Sequence, residues 1–157
     1  MLKVGDIAPD FETVDDEGNP FKLSEFRGKK IVLYFYPKDF TPGCTAEACS
    51  IRDSYTIFEG SGIPIYGISG GTAEVHQKFR GKYNLPFNIL VDEDLEITKL
   101  YGAYSKLNIL GMGVKRITFL VDEEGKIEGV FGGSDGIDKV RSKDHADQIV
   151  NFWGLKL

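Results

Sequence analysis

Cys44 and Cys49 are the only cysteines of this 157-residue chain, and Cys44 stands where a reactive thiol is expected. Thr41 and Pro42 precede it in the run PKDFTPGCTAEACSIRD and indicate the start of a helix. Threonine is a frequent N-cap residue, and proline is favoured in a first helical turn. We therefore expect Cys44 to lie in the first turn of this helix.

A thiol in the first turn of a helix lies among backbone N–H groups that have no intrahelical acceptor. These donors and the helix macrodipole stabilise a thiolate, which is the nucleophilic form of cysteine. Apolar residues then recur at helical spacing, at Cys44, Ala48, Ile51, Tyr55 and Phe58. This stripe predicts that Cys44 lies in a pocket. The simpler alternative is a small buried hydrophobe without chemistry.

The order of elements around this helix predicts an α/β fold. Strands are predicted at 31–36, 64–69, 88–91, 117–121 and 126–131. Helices are predicted between the first two strands, at 72–83 with Thr72 as N-cap, and at 142–153. FETV and FKL around DDEGN predict an N-terminal hairpin. A parallel strand–helix–strand start followed by an antiparallel hairpin predicts a mixed central sheet with helices on both faces.

Composition favours one soluble domain over residues 1–157. Hydrophobic residues make up 41% and charged residues 27%, which is enough apolar material for one core. No stretch is long and apolar enough to cross a bilayer, and the first residues lack a leader pattern, so we expect a cytoplasmic protein. The net charge of −5, with scattered Lys and Arg, argues against nucleic-acid or anionic-membrane partners. Since no self-complementary surface can be recognised, we expect a monomer.

The spacing of Pro37, Thr41 and Cys44 matches the peroxiredoxin signature P-x-x-x-T-x-x-C. The longer string YPKDFTPGCTAEACSIRD resembles the Q branch of that family, also called bacterioferritin comigratory protein, in which a second cysteine follows five residues later. Cys49 occupies that position. The resemblance extends from VGDIAPDFE through KFRGKYNLPF and RITFLVDEEGKI to HADQI. It implies a thioredoxin-like fold and a thiol-dependent peroxidase that reduces hydrogen peroxide and organic hydroperoxides.

The resemblance also implies roles for individual residues. It makes Cys44 the peroxidatic cysteine, Thr41 the residue that orients the peroxide, Arg116 the activating arginine and Pro37 a shield of the site. Pro42 and Gly43 complete the predicted substrate-binding loop. From its position alone, before the buried run ITFLV, Arg116 has a surface role at a strand end as the alternative.

Glu47 is a secondary candidate because it lies one helical turn after Cys44. Its carboxylate could position Arg116. An exposed acid that complements the helix dipole is the alternative interpretation.

Several other polar residues carry no predicted chemistry. His76 and His145 fall in two predicted helices away from the cysteine motif, and we interpret both as structural or solvated. No Cys or His spacing indicates a zinc site. The acidic pairs at 15–16 and 123–124 are interpreted as solvated turns.

The mechanism that the resemblance implies needs no metal, haem or flavin. Cys44 becomes a sulfenic acid, Cys49 attacks it to form an intramolecular disulfide, and a dithiol such as thioredoxin reopens that bond. Residues five apart in an α-helix have Cα atoms about 8.7 Å apart, beyond the roughly 7 Å that a disulfide can span. The start of the helix must therefore unwind, and Gly43, Thr45 and Ser50 lower the cost of unwinding.

Two other functions remain open from the residues alone. One is a thioredoxin-like disulfide oxidoreductase, although that chemistry normally uses C-x-x-C and here four residues separate the cysteines. The other is a non-enzymatic binding module with inert cysteines.

Overall fold

The computed structural model describes residues 2–105, 113–133 and 136–156. Its strands are β1 Glu12–Val14, β2 Pro20–Lys22, β3 Ile31–Phe35, β4 Ile65–Ser69, β5 Ile89–Val91, β6 Ile117–Val121 and β7 Ile127–Phe131. Its α-helices are α1 Pro42–Asp53, α2 Tyr55–Gly60, α3 Ala73–Tyr83, α4 Glu96–Leu100 and α5 His145–Trp153. Short 3-10 turns at Leu23–Phe26 and Ser142–Asp144 precede β3 and α5.

Five strands form one mixed sheet in the order β5-β4-β3-β6-β7. The neighbours β3, β4 and β5 are parallel, whereas β6 pairs antiparallel with both β3 and β7. β1 and β2 form a separate antiparallel hairpin near the N-terminus. The predicted mixed sheet and N-terminal hairpin are therefore confirmed.

The central strand β3 is buried on both faces, and its side chains alternate between two cores. Its odd-numbered residues, such as Leu33, pack with the N-terminal segment and with Ile97 of α4. Its even-numbered residues, such as Val32 and Tyr34, pack with side chains of α1, α3 and α5. This arrangement confirms the prediction of helices on both faces of the sheet.

The predicted helices differ from the observed ones mainly at their ends. The helical stretch between β3 and β4 is two helices, α1 and α2, separated at Ser54. The closing helix begins at His145 after the 3-10 turn. Thr72 caps α3 as predicted, since its Oγ1 accepts the Val75 N–H at 3.3 Å. In the part of the chain that the structure describes, no helix is both long and apolar enough to cross a membrane.

The prediction that the acidic pair at 15–16 is a solvated turn is wrong. Asp16 is 2% exposed, and its carboxylate accepts hydrogen bonds from the Ile89 N–H at 3.0 Å and from Arg80 at 2.9 Å. The hairpin thus lies against β5 and α3 instead of projecting into solvent. These hydrogen bonds replace those to water that the Asp16 carboxylate loses when it is buried.

The sheet register brings the functional segments together. β3 and β6 are neighbours, and Phe35 pairs with Ile117. The loop that leads from β3 to α1 therefore starts beside Arg116, which immediately precedes β6. Cys44 and Arg116, which are 72 positions apart in the sequence, therefore meet at this edge of the sheet.

Candidate active site

Helix α1 begins at Pro42, with the extended residue Thr41 as its N-cap. Cys44 lies in the first turn and is 1% exposed. The Thr45 N–H, bonded to the Thr41 carbonyl at 2.9 Å, is the first to close a helical turn. The N–H groups of Gly43 and Cys44 therefore have no intrahelical acceptor, as the sequence predicts for a site that favours an anion.

Arg116 links the sulfur of Cys44 to the carboxylate of Glu47. Its Nη2 lies 3.4 Å from Cys44 Sγ, and its Nη1 donates to Glu47 Oε1 at 2.8 Å. Although burial opposes the charged form, Glu47 and Cys44 raise the pKa of the guanidinium above its ordinary value. The two ends of the planar fork thus hold two different partners. The simple surface role for this arginine is wrong.

Gly43 permits the close approach of Arg116. A Cβ on this glycine would lie 3.0 Å from Nη2 and 3.7 Å from Cζ of the arginine. A side chain at this position would require the guanidinium to shift. Gly43 thus contacts the arginine directly, while its predicted substrate-binding role remains a prediction, as does that of the exposed Pro42.

Glu47 is fully buried, so its interpretation as an exposed acid is wrong. Burial raises the pKa of its carboxyl to about 7, and the opposing effects of Arg116 are smaller. Its contact with Arg116 agrees with the alternative expectation of a positioning acid. Glu47 Oε2 has no hydrogen-bond partner among the described residues.

The Thr41 side chain does not cap α1. Its hydroxyl donates to the Lys38 carbonyl at 2.7 Å, which turns the loop between β3 and the helix. Because the proton is committed to that carbonyl, the oxygen can act toward an arriving molecule only as an acceptor. Pro37, at the other end of the loop, is partly buried.

Cys49 lies on the same continuous helix as Cys44. Both are free thiols; Cys44 is buried and Cys49 is partly exposed. The structure therefore corresponds to the reduced form with α1 intact, and the disulfide between them remains a prediction.

His76 lies against the active-site loop, so placing it away from the cysteine motif is wrong. Its Nδ1 is 2.6 Å from Asp39 Oδ2, and Asp39 Oδ1 accepts from the Tyr36 hydroxyl at 2.6 Å. All three residues are buried. The pair ties α3 to the loop between Pro37 and Thr41. His76 and the buried Phe79 are three residues apart on α3, and this helical spacing could have indicated that His76 is buried too.

His145 is also fully buried beside the site, which corrects its interpretation as remote. Its Nε2 lies 3.6 Å from Glu47 Oε2 and 2.7 Å from Thr118 Oγ1, and its Nδ1 lies 2.8 Å from Gln148 Oε1. Burial lowers the pKa of the imidazole to about 4. The spacing of His145 and Gln148 in the first turn of a helix was the available sign of this side-chain pair.

A cavity of about 400 Å³ lies beside Pro37 at the carboxyl ends of β3 and β4. Its apolar lining includes Pro37, Val75, Leu95 and Val114. Cys44 is not among the lining residues, so the cavity adjoins the thiol site without containing it. Within the described ranges, no group of three or more His, Cys, Asp or Glu residues could hold a metal ion.

Comparisons with known proteins agree with this geometry. A sequence profile of the AhpC/TSA family matches residues 4–130. A putative peroxiredoxin Bcp of Coxiella burnetii is 42% identical over 152 residues, which cover 95% of this chain and 97% of that protein. Peroxidoxin BcpB of Mycobacterium tuberculosis has a similar structure, with a TM-score of 0.83, 34% identity and 96% of each chain covered.

A third similar protein is the bacterioferritin comigratory protein of Xanthomonas campestris, whose structures address its alkyl peroxide reduction activity. Its TM-score is 0.83 at 27% identity, and 98% of this chain and 96% of that chain are covered. These likenesses confirm the thioredoxin-like fold and favour the peroxidase over the disulfide oxidoreductase and the inert binding module. The chain belongs to the AhpC/TSA family and is a peroxiredoxin of the Q (Bcp) branch, a thiol-dependent peroxidase.

Proposed function

We propose that Cys44 is the nucleophile that reduces hydrogen peroxide and organic hydroperoxides, with Arg116 as its activating residue. The observation that carries this proposal is the 3.4 Å contact between Arg116 Nη2 and Cys44 Sγ at the start of α1. A cation and unpaired N–H groups together favour the thiolate, which is the reacting form.

In the first step the Cys44 thiolate attacks the terminal oxygen of the hydroperoxide. The S–O bond forms as the O–O bond breaks, so the sulfur is oxidised to a sulfenic acid. The departing oxygen takes a proton and leaves as water or an alcohol. Arg116 stabilises the negative charge as it moves from sulfur to that oxygen. The Thr41 oxygen accepts the peroxide O–H and so orients the attacked oxygen.

In the second step Cys49 attacks the sulfenic sulfur, water leaves and a Cys44–Cys49 disulfide forms. An external protein dithiol, for which we propose thioredoxin, reduces this disulfide by exchange and is itself oxidised. Both cysteines lie on α1, so the disulfide requires its first turns to unwind.

The cavity beside Pro37 supports the inclusion of organic hydroperoxides. Its lining combines Pro37, Val75, Leu95 and Val114, which suit an alkyl group. The similar Xanthomonas campestris protein is described for its alkyl peroxide reduction activity. We propose that an alkyl chain occupies this cavity while its hydroperoxide group reaches Cys44 past Pro37.

We also propose that the enzyme acts in the cytoplasm as a monomer and needs no metal or organic cofactor. The net charge of −5 favours a dissolved protein over one held on an anionic membrane.

The test couples peroxide consumption to NADPH oxidation through thioredoxin and thioredoxin reductase. It compares the parent chain with Cys44→Ser and Cys49→Ser, each of which serves as the control for the other. Cys44→Ser is expected to abolish turnover. Cys49→Ser is expected to allow one rapid oxidation to sulfenic acid and then to recycle poorly. Undiminished turnover in Cys44→Ser would overturn the proposal.

A further inference from the structure

Phe40, in the loop that leads from β3 to Cys44, has a backbone conformation that residues with a Cβ rarely adopt. Its φ is 67°, in the left-handed region, where the Cβ of an L-residue lies too close to neighbouring backbone atoms. A bulky residue keeps such a conformation only where its surroundings hold it there. The loop between Pro37 and Thr41 must therefore be fixed by contacts on both sides of Phe40.

Asp39, the residue before Phe40, makes the first of these contacts. Its Oδ1 accepts from the Tyr36 hydroxyl at 2.6 Å, and its Oδ2 lies 2.6 Å from His76 Nδ1. Burial and the charge of Asp39 raise the pKa of the Tyr36 hydroxyl, which therefore keeps its proton and donates it. A carboxylate can only accept hydrogen bonds, so Nδ1 of His76 donates as well. The loop is thus bonded to the end of β3 and to α3.

His76 is placed for this contact by its own surroundings. Its side chain is fully buried, and a Cβ on Gly71 would lie 3.1 Å from its Cε1, so the ring has its space only because residue 71 is a glycine. Its Nε2 has no hydrogen-bond partner among the described residues. With the proton on Nδ1, this nitrogen presents a lone pair and not an unpaired, buried N–H. The imidazole is therefore arranged to donate to Asp39.

Contacts of Phe40 itself and of Thr41 complete the fixation of the loop. The Phe40 ring packs edge-on against Phe79, with centroids 5.2 Å apart, and lies 6.4 Å from the ring of Tyr83. Both of these partners belong to α3. After Phe40, the Thr41 hydroxyl donates to the Lys38 carbonyl at 2.7 Å and closes the loop. Because Thr41 directly follows Phe40, a change of the Phe40 backbone would move the Thr41 oxygen.

We propose that Asp39 and His76 are a positioning pair of the peroxidase: by holding Phe40 in its left-handed conformation, they place the Thr41 oxygen where it orients the hydroperoxide. The inference rests on the proposed roles of Cys44 and Thr41. The pair acts through Thr41 and transfers no proton to the substrate. Without the hydrogen bond from His76, Phe40 can relax to negative φ, and the Thr41 oxygen then leaves its place.

Two substitutions of His76 differ in this one hydrogen bond. Asparagine and leucine have nearly the same shape, but only the asparagine amide can donate to Asp39 as Nδ1 does. Stopped-flow oxidation of the reduced protein by hydrogen peroxide measures the first step. We expect His76→Leu to react about tenfold more slowly than the parent and His76→Asn to retain most of the parent rate. Equal rates in the two variants would overturn the proposal.

Thr41→Val determines whether the pair acts through Thr41. Valine has the shape of threonine without the hydroxyl, so this variant has no oxygen left to place. We expect the addition of His76→Leu to change the peroxide rate of Thr41→Val less than about twofold, although it slows the parent about tenfold. Losses that multiply in the double variant would contradict action through Thr41.

Alkylation of Cys44 by iodoacetamide, followed by mass spectrometry at a pH where this thiol is fully ionised, separates positioning from general damage. It needs the thiolate but no oriented peroxide, so its rate is expected to change less than about twofold in His76→Leu. A loss as large as the peroxide loss would refute the positioning role. Cys44→Ser in the peroxide assay tests the proposed function separately, since full reactivity there would refute the role of Cys44 whatever the pair does.

Tyr36→Phe tests the other side of Asp39 and decides the matter if His76→Leu does not fold. It removes only the hydroxyl that donates to Asp39 Oδ1, and we expect it to slow the oxidation by hydrogen peroxide about tenfold. Tyr83→Phe is the matched control, because it removes a tyrosine hydroxyl and keeps the ring on α3; it should react like the parent. An unchanged rate in Tyr36→Phe, or an equal loss in Tyr83→Phe, would count against the pair.

Discussion

At the scale of single residues, Arg116 is the side chain on which the site geometry depends. One end of its guanidinium contacts the Cys44 sulfur and the other the buried Glu47 carboxylate. Gly43 provides the space for this contact, since a Cβ there would lie 3.0 Å from Nη2. The rigid planar fork, and not the charge alone, determines where the positive charge lies relative to the sulfur.

Arg116→Lys is therefore expected to slow the oxidation of Cys44 by hydrogen peroxide, although it preserves the positive charge. A single ammonium cannot contact both the thiolate and Glu47 in the fixed geometry of the fork, so one developing charge loses its donor. Loss of one such donor costs about 10²- to 10³-fold in rate. Stopped-flow oxidation of Cys44 by hydrogen peroxide measures the loss. Lys115→Met, which removes the exposed neighbouring cation, is the control and should react like the parent. A rate in Arg116→Lys within threefold of the parent rate, on the order of 0.7 kcal/mol, would show that the charge alone suffices.

The position of Cys44 in the first turn of a helix could be predicted from the sequence, because the residues that start the helix, Thr41 and Pro42, are its near neighbours. The burial of Glu47 could not, because it depends on Arg116 and His145, which are 69 and 98 positions away. A helix start predicts an exposed acid as readily as a buried one. The partner that decides between them becomes visible only in three dimensions.

At the scale of elements, α1 is held in its folded form by contacts near both cysteines. Glu47 binds Arg116 before β6, and Ser50 accepts the Ala146 N–H at the start of α5. The sequence predicts that Ser50 lowers the cost of unwinding, yet its hydroxyl oxygen accepts a hydrogen bond that unwinding must break. Oxidation must therefore free both α1 and the first turn of α5.

Hydrogen exchange tests this coupling of two elements. In the oxidised protein, amides 43–50 are expected to lose protection, because a Cys44–Cys49 disulfide is incompatible with an intact helix. The Ala146 amide is expected to exchange faster as well, since its acceptor Ser50 departs. Amides of α3 serve as the internal reference and should be unchanged. Equal protection of 43–50 in both redox states would contradict the unwinding of α1.

The strands could be predicted more accurately than the contacts of the loops. β3 and β6 are apolar runs rich in β-branched and aromatic residues, which suit a strand covered on both faces, and both lie within one residue of their predicted ends. The acidic pair at 15–16 is predicted to be solvated because turn residues usually are, and this prediction is wrong. Its burial comes from Arg80 and from the backbone of β5, which no local pattern reveals.

At the scale of the whole molecule, the fold places two groups with opposite pH dependence in contact. Burial raises the pKa of Glu47 from 4.5 to about 7, so its contribution to stability is full below 4.5 and is lost as pH rises through 7. Burial lowers the pKa of His145 from 6.5 to about 4, so its contribution is present above 6.5 and is lost as pH falls through 4. Between pH 4.5 and 6.5 the two contributions offset each other.

The difference between a variant and the parent should therefore reveal the pH dependence of the group that was removed. Glu47→Gln lacks the contribution that falls as Glu47 ionises, so its free energy of unfolding minus that of the parent is expected to rise between pH 4.5 and about 7. His145→Gln lacks the contribution that rises as His145 loses its proton, so the corresponding difference is expected to fall between about pH 4 and 6.5. Each slope is limited to about 1.4 kcal/mol per pH unit, because each group binds one proton.

Urea unfolding of the reduced proteins at several pH values measures these slopes. Differences from the parent remove the contributions of Cys44, Tyr34, Arg116 and the surface groups, which the parent and the variants share. Trp153→Phe, which changes α5 without altering the pair, should run parallel to the parent at all pH values. Opposite slopes in the two difference curves follow if burial shifts the pKa values of Glu47 and His145 in opposite directions in the folded protein. Parallel curves for all four proteins would mean that neither group titrates differently in the folded and unfolded chains.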